Sequence, residues 1–404
     1  MKYNRLFLMV MVLFSILFLY NNIAFKKIMY LPNDFYVSYD EVYESNKRNS
    51  FGKLVDIHLV QDEIKTGDER AEQGEIIFKL FGILPIKKVN VKILPEEEVY
   101  VGGTPMGLAL HSNGVVVVSN SMILAESGKI IKNQYLNTGD VITQINDKEI
   151  HCIEDLENIV STVKEDNLNV KFLSKNQVYE REIGLIKDSE GNYKMGLWVK
   201  DDFSGVGTLS FVKKTGDSYQ FGALGHPITN GQNENIIPIS TGEVYSCSLV
   251  DIAKGEKNNP GELRCVFVEK NKQGEFNKNT NVGIFGQLEN VGSLIDLNKT
   301  AILGGRLSVK PGKAKIVSKV SGMLEEYEIE IIKTSYQTEA SDKSIVFRVV
   351  DKRLLELTGG IVQGMSGSPI MQDGKIVGAV THVFVSDPTK GFGVYSDWML
   401  EQLN

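Results

Sequence analysis

The residues best suited to chemistry form a short run, Gly364-Met365-Ser366-Gly367-Ser368-Pro369, followed by a strand pattern, an Asp373-Gly374 turn and a second strand. A nucleophilic serine needs its hydroxyl held outward on a tight turn, with neighbouring amides aimed at the oxyanion that develops on the attacked carbonyl. Glycines flanking Ser366 make that turn possible. A serine hydroxyl is weak without a base, and among five histidines, at positions 58, 111, 151, 226 and 382, His226 has the best setting. In Phe221-Gly222-Ala223-Leu224-Gly225-His226-Pro227 a short apolar strand ends in a glycine turn and proline blocks its continuation, which leaves an imidazole at a strand end. His382 sits within the strand pattern Val380 to Val385, the setting of a packed structural histidine. The third member must be a carboxylate that holds the imidazole tautomer and stabilises its cation. Asp351 ends the strand pattern Ile345 to Val350 and Asp251 follows the His226 segment; spacing does not separate them. Because His226 must begin neutral, activity is expected to fall as pH drops below ~6.5.

The elements that must position these groups are read as mainly β. From about residue 195 to the end, strand patterns such as Gly207 to Val212, Ala314 to Val320, Tyr327 to Ile332 and Lys375 to Val385 alternate with glycine turns, which predicts a β-barrel or sandwich over 195–404 closed by a helix over Asp397 to Leu403. Residues 28–95 read as a small accessory β-region. Over 96–186 a glycine-rich turn, Gly102-Gly103-Thr104-Pro105-Met106-Gly107, leads into Leu108-Ala109-Leu110 and the strand Val115 to Val118. Later, Ile153, Leu156, Ile159, Val160 and Val163 fall on one face of a helix. This order of strand, turn and helix resembles a PDZ domain, in which free amides of a glycine loop hold a peptide carboxylate and a strand edge pairs with the peptide. By that resemblance Gly103, Met106, Gly107 and Leu108 line the peptide groove.

At 404 residues the chain is too long for one core and suggests two or three domains. A formal charge of -7 gives no footprint for nucleic acid. The three cysteines, Cys152, Cys247 and Cys265, form neither a disulfide framework nor a CxxC site, and no histidines fall at HxH or HxxxH spacing. No metal and no cofactor is expected. Lys2 and Arg5 precede an apolar stretch from Leu6 to Phe25 with no small-residue cleavage signature after it, so residues 1–27 are read as an uncleaved signal anchor. The remainder is then expected on the exported side of a membrane.

Taken together, Leu84-Pro85-Ile86-Lys87-Lys88-Val89, Gly222 to His226, Gly283-Ile284-Phe285-Gly286, Gly359 to Ile370 and Gly378 to Val385 resemble the SpoIVB peptidase family, stage IV sporulation protein B of endospore-forming bacteria. The resemblance implies a trypsin-like double β-barrel serine peptidase fused to a PDZ domain, with nucleophile, base and acid at Ser366, His226 and Asp351. It implies an enzyme that crosses the forespore membrane and cleaves itself near its N-terminal region. The enzyme then cuts a regulator in a membrane complex, which releases processing of the mother-cell sigma-factor precursor. Its partners are therefore protein substrates, itself included, and the membrane. The expected chemistry is two-step acyl transfer, with the amides of Gly364 and Ser366 as the oxyanion hole. A non-catalytic membrane-tethered PDZ adaptor and a general envelope quality-control protease are the alternatives, and replacing Ser366 by Ala separates the first from an enzyme.

Overall fold

The structure, a computed structural model, describes residues 28–29, 31, 33–37, 42, 55–61, 72–93, 96–230, 235–335, 337 and 339–403. The predicted anchor at 1–27 lies outside the described residues, and no helix among them is long and apolar enough to cross a membrane. The fold is mainly β.

Strands β1 (Asp34–Val37), β2 (Val55–Gln61), β3 (Glu72–Leu80) and β4 (Leu84–Ile93) form one sheet in the order β1-β4-β3-β2. Its apolar face, with Ile76, Phe78, Val89 and Val91, buries Leu307 from far along the chain. There follow β5 (Glu98–Val101), β6 (Pro105–Asn120), β7 (Met122–Leu124), β8 (Ile130–Lys132), β9 (Val141–Ile145), β10 (Lys148–Glu149), α1 (Ile153–Thr162), β11 (Asn167–Ser174), β12 (Gln177–Gly184), β13 (Ile186–Lys187) and β14 (Tyr193–Lys194). Helix α1 starts where the Asp155 carboxylate accepts the Cys152 amide, and the predicted apolar face buries Leu156 and Val160 against Val115, Ile142, Val170 and Phe172.

The remaining elements are β15 (Leu197–Thr215), β16 (Ser218–Ala223), β17 (Ile239–Ala253), β18 (Glu262–Thr280), β19 (Gly283–Leu288), β20 (Thr300–Leu303), β21 (Gly312–Ser318), β22 (Glu325–Thr334), β23 (Ile345–Val349), α2 (Lys352–Thr358), β24 (Pro369–Gln372), β25 (Lys375–Val383), β26 (Lys390–Tyr395) and α3 (Ser396–Leu400). Their antiparallel pairings close two rings. The first runs β6-β15-β16-β19-β18-β17 and back to β6, around Met106, Leu108, Phe221, Val244 and Phe276. The second runs β21-β22-β23-β26-β25-β24 and back to β21, around Ile316, Tyr327, Phe347, Ile370 and Val380. β5 and β20 link them, since β5 pairs with β15 and β20, and β20 pairs with β25.

This layout corrects the reading of residues 103–108. Met106, Gly107 and Leu108 pair on one side with Gly207, Val206 and Gly205 of β15 and on the other with Ser246, Tyr245 and Val244 of β17, so the strand has no free edge for a peptide. The amides of Gly102 and Gly103 donate to the carbonyls of Ser210 and Leu209, which uses the donors a carboxylate would need. Gly107 has no side chain because a Cβ there would stand 2.4 Å from the Phe267 ring. The small unit with α1 instead gathers its core from Val115 to Val199 and is inserted between β6 and β15, which pair within that unit and, after register shifts at Trp198/Val199 and Lys200/Asp202, again in the first ring. A second departure is α2, which the strand pattern did not suggest.

Candidate active site between the two rings

Ser366 sits on the turn that enters β24. Gly364 and Gly367 take positive φ values of 93° and 101°, and the Ser368 amide closes the turn on the Met365 carbonyl at 2.9 Å. Gly367 is obligatory, because a Cβ there would lie 1.9 Å from the Thr208 carbonyl oxygen. Thr208 of β15 braces the turn from the first ring: its amide donates to the Ser366 carbonyl at 2.8 Å and its hydroxyl donates to the Gly364 carbonyl at 2.6 Å. The Met365 and Gly367 amides donate to Val362 and Val380, whereas those of Gly364 and Ser366 have no backbone partner among the described residues.

His226 follows β16 through Leu224 and Gly225, both at positive φ. A Cβ on Gly225 would meet Thr381 at 2.9 Å, so glycine lets the first ring press against the second at this point. The His226 Nδ1 lies 2.8 Å from the Pro227 carbonyl oxygen. A carbonyl only accepts, so Nδ1 carries the hydrogen and Nε2 is the basic atom. The residue is half-buried at the wall of the cleft, and burial lowers its pKa to about 4; a charge on His382 acts in the same direction, against smaller opposing effects of the Pro227 bond and of Asp342. The acid limb expected near ~6.5 from an unperturbed imidazole is thereby moved down.

Ser366 and His226 line one cleft of about 1080 Å³, which lies between the rings. The Ser366 hydroxyl donates to the Thr381 carbonyl at 2.7 Å, and the structure contains no hydrogen bond from it to His226 among the described residues. His382 shares the cleft; its ring stacks on that of His226 at 4.8 Å between centroids and 27° between planes, and its Nε2 lies 2.7 Å from Asp342 Oδ2. Burial works to raise the Asp342 pKa, but the hydrogen bond and charge of His382, with Lys343 and His226, hold it below the ordinary value.

The two carboxylates considered from sequence lie elsewhere. Asp351 does not line the cleft. It caps α2, with Oδ1 accepting the Arg353 amide at 2.9 Å, Oδ2 accepting the Glu328 amide at 3.2 Å, and the Arg353 guanidinium 3.0 Å from Oδ2. Its burial is outweighed by Arg353 and those amides, so its pKa too lies below the usual range. Its oxygens are taken by a helix terminus and an arginine, and the structure does not bring it beside His226. Asp251 is exposed on β17 and pairs with Arg264 at 3.0 Å. The carboxylate that does face the imidazoles, Asp342, belongs to the loop between β22 and β23, where neither periodicity nor a motif marks it.

No curated protein matches this sequence. Among solved structures, the Rv3671c protease in its inactive form is similar at 13% identity with a TM-score of 0.26, over 50% of this chain and 83% of that one. The active form of Rv3671c protease from M. tuberculosis gives 12% and 0.26, over 50% and 74%. The protein is a serine peptidase. The sequence model described as SpoIVB peptidase S55 matches residues 191–400, over half of the chain, and the chain belongs to that family.

Proposed function

We propose that the chain cuts peptide bonds by acyl transfer in the cleft between its rings, with Ser366 as nucleophile and His226 as general base. The observation that supports this most is that the two side chains come from different rings, at the end of β16 and the start of β24, and open into the same cleft. Ser366 Oγ leaves the Thr381 carbonyl, turns toward His226 Nε2 and gives it the proton while attacking the substrate carbonyl carbon. The free amides of Gly364 and Ser366 receive the oxyanion. His226 then passes the proton to the leaving amine, and a water activated by the same nitrogen releases the acyl group.

In this reading the two rings are the double β-barrel of a trypsin-like peptidase, and the unit around α1 is a PDZ-like module whose core begins at Val115. Residues 1–27 anchor the enzyme, with the remainder exported to the space between forespore and mother cell. The substrates are the chain itself, near its N-terminal region, and a regulator in a membrane complex whose cleavage activates sigma-factor precursor processing. The family resemblance supports these last steps. The test is expression of the full chain with Ser366→Ala: labelling by a fluorophosphonate and the appearance of N-terminally trimmed fragments should both be lost. Fragments at the wild-type yield would contradict self-cleavage by Ser366.

A further inference from the structure

A tight turn joins β3 to β4 in the N-terminal sheet. Phe81 and Gly82 both take positive φ, 55° and 70°, and the Ile83 amide donates to the Leu80 carbonyl at 3.2 Å. Positive φ at both central residues is the pattern that asparagine-glycine or aspartate-glycine fills in most hairpins. Here a phenylalanine takes the first place, where a bulky side chain is strained. The residues that follow are apolar as well, and the tip is bare: Phe81 is 64% exposed, Ile83 83% and Leu84 58%. These side chains add nothing to the core of the sheet, which lies among Ile57, Phe78, Leu80 and Val89. Folding does not call for strain and exposed apolar area together; contact with an apolar medium does.

We propose that this turn is a bilayer-contacting tip, with Phe81, Ile83 and Leu84 entering the interface of the membrane that holds the N-terminal apolar stretch. The path of the chain argues for lipid. Met29 and Leu31 come within a few residues of the apolar stretch Leu6 to Phe25. Lys87 Nζ donates to their carbonyls at 2.9 and 2.6 Å, and Lys87 stands three residues from Leu84, about 10 Å at the usual strand rise. Ile28 and Leu31 are buried in the core of the sheet. The chain then enters β1, which pairs in parallel with β4 from Asp34 opposite Asn90 to Val37 opposite Ile93, and so runs away from the turn. The chain therefore joins the sheet at the end that carries the turn, and a bilayer holding Leu6 to Phe25 lies on that side.

The charges nearby agree. Lys79, Lys87 and Lys88 stand against Asp56, beside Gly82, and Glu75, which pairs with Lys88 at 2.6 Å. The small positive excess suits phosphate headgroups, and lysine stems reach back toward them when apolar tips sink. Three side chains of this size make a shallow, reversible contact. Its use is orientation: one membrane helix is a point about which an enzyme swivels, and a second contact fixes it. Leu307, from the segment between β20 and β21, is buried in the same core, so the orientation of the sheet is passed to the second ring.

This inference rests on the reading of residues 1–27 as an anchor, so the experiment reports on both. The full chain, carrying Ser366→Ala to keep its N-terminus attached, is reconstituted in vesicles of equal parts phosphatidylcholine and phosphatidylglycerol, with or without bromine on the phosphatidylcholine acyl chains. Tryptophan emission is compared for this parent, which has Trp198 and Trp398, and for Ile83→Trp and Val60→Trp added to it. Val60 is exposed on β2 opposite Glu75, toward the other end of the same sheet. Brominated lipid should quench the emission added by Ile83→Trp by roughly half or more, and leave that added by Val60→Trp unchanged. Adding Phe81→Asn and Leu84→Ser should remove most of this quenching, while hydrogen-exchange protection of β3 and β4 is kept or raised, because asparagine suits the positive φ. A turn that served only the fold would lose protection instead. Release of the parent from the vesicles by alkaline carbonate would overturn the anchor and this inference with it. A parent that resists carbonate, with Ile83→Trp unquenched or quenched no more than Val60→Trp, would overturn this inference alone. An emission from Ile83→Trp that is blue-shifted yet unquenched would do the same and give the turn to a protein contact.

Discussion

Asp342 and Asp351 bracket β23, and each is held below the usual carboxylate pKa against the effect of its burial by a hydrogen-bonded basic partner. Their surroundings differ in one respect. Around Asp351 every acceptor is engaged by a partner that stays put: two amides and a guanidinium, which cannot lose its proton at ordinary pH. Around Asp342 the partner is an imidazole, stacked on a second imidazole that opens to a cleft. Two similar carboxylates are therefore committed to different ends, one to a helix terminus and one to a set of groups able to exchange protons.

The sharpest way to break this comparison is to disturb the brace between the rings. Thr208→Val removes the bond to the Gly364 carbonyl and leaves a half-buried acceptor unpaired, so the amides of Gly364 and Ser366, the proposed oxyanion donors, lose their fixed aim. Activity should fall by roughly 10-fold or more with KM little changed, measured by kcat on a peptide substrate. An unchanged kcat would show that the turn holds itself.

A smaller effect lies in stability against pH. Folded His226 titrates near about 4 and an unfolded histidine near ~6.5. Between these values the unfolded chain binds more protons, so stability should fall as pH drops from ~6.5 toward about 4, on the order of 2 kcal/mol, and His226→Gln should remove that slope. Urea denaturation at a series of pH values reads this directly.

At the Asp351 corner the expectation reverses. Asp351→Ala removes a helix cap and should cost about 1–2 kcal/mol in thermal or urea denaturation at pH 7. Because the folded pKa of Asp351 is depressed, its contribution is present above the unfolded value of ~3.9 and is lost as pH falls through the folded value. The gap between wild type and variant should close in acid. Arg353→Lys, which keeps the charge but loses the fork, should give the smallest change, within about 1 kcal/mol, since that side chain is largely exposed.

Much of this was readable from residue order, for reasons the structure makes plain. The strand patterns of the C-terminal half appear as β15, β21, β22, β23 and β25, because one face of each must be buried in a closed ring. The amphipathic run from Ile153 appears as α1. The turn at Ser366 and the strand end at His226 were visible because glycine is demanded locally. Helix α2 had a legible signature that the strand reading passed over: Asp351 as N-cap, Lys352-Arg353-Leu354-Leu355 after it, and Gly359 left-handed at its end with φ 76°. The glycines at 102–107 were misread because close approach of barrel strands and a carboxylate-binding loop both call for glycine, and only pairing partners distinguish them. The place of Asp342 beside His382 was not legible, since it depends on where a polar loop folds back over β25.

The central claim, that Ser366 attacks with His226 as its base in the cleft between the rings, is tested most directly by locating the fluorophosphonate adduct by mass spectrometry on wild type and His226→Ala across pH. The account predicts an adduct on Ser366 whose rate of formation is half-maximal near pH 4 in wild type and is nearly abolished in His226→Ala. An adduct on another residue, or one formed on Ser366 equally fast without His226, would contradict it.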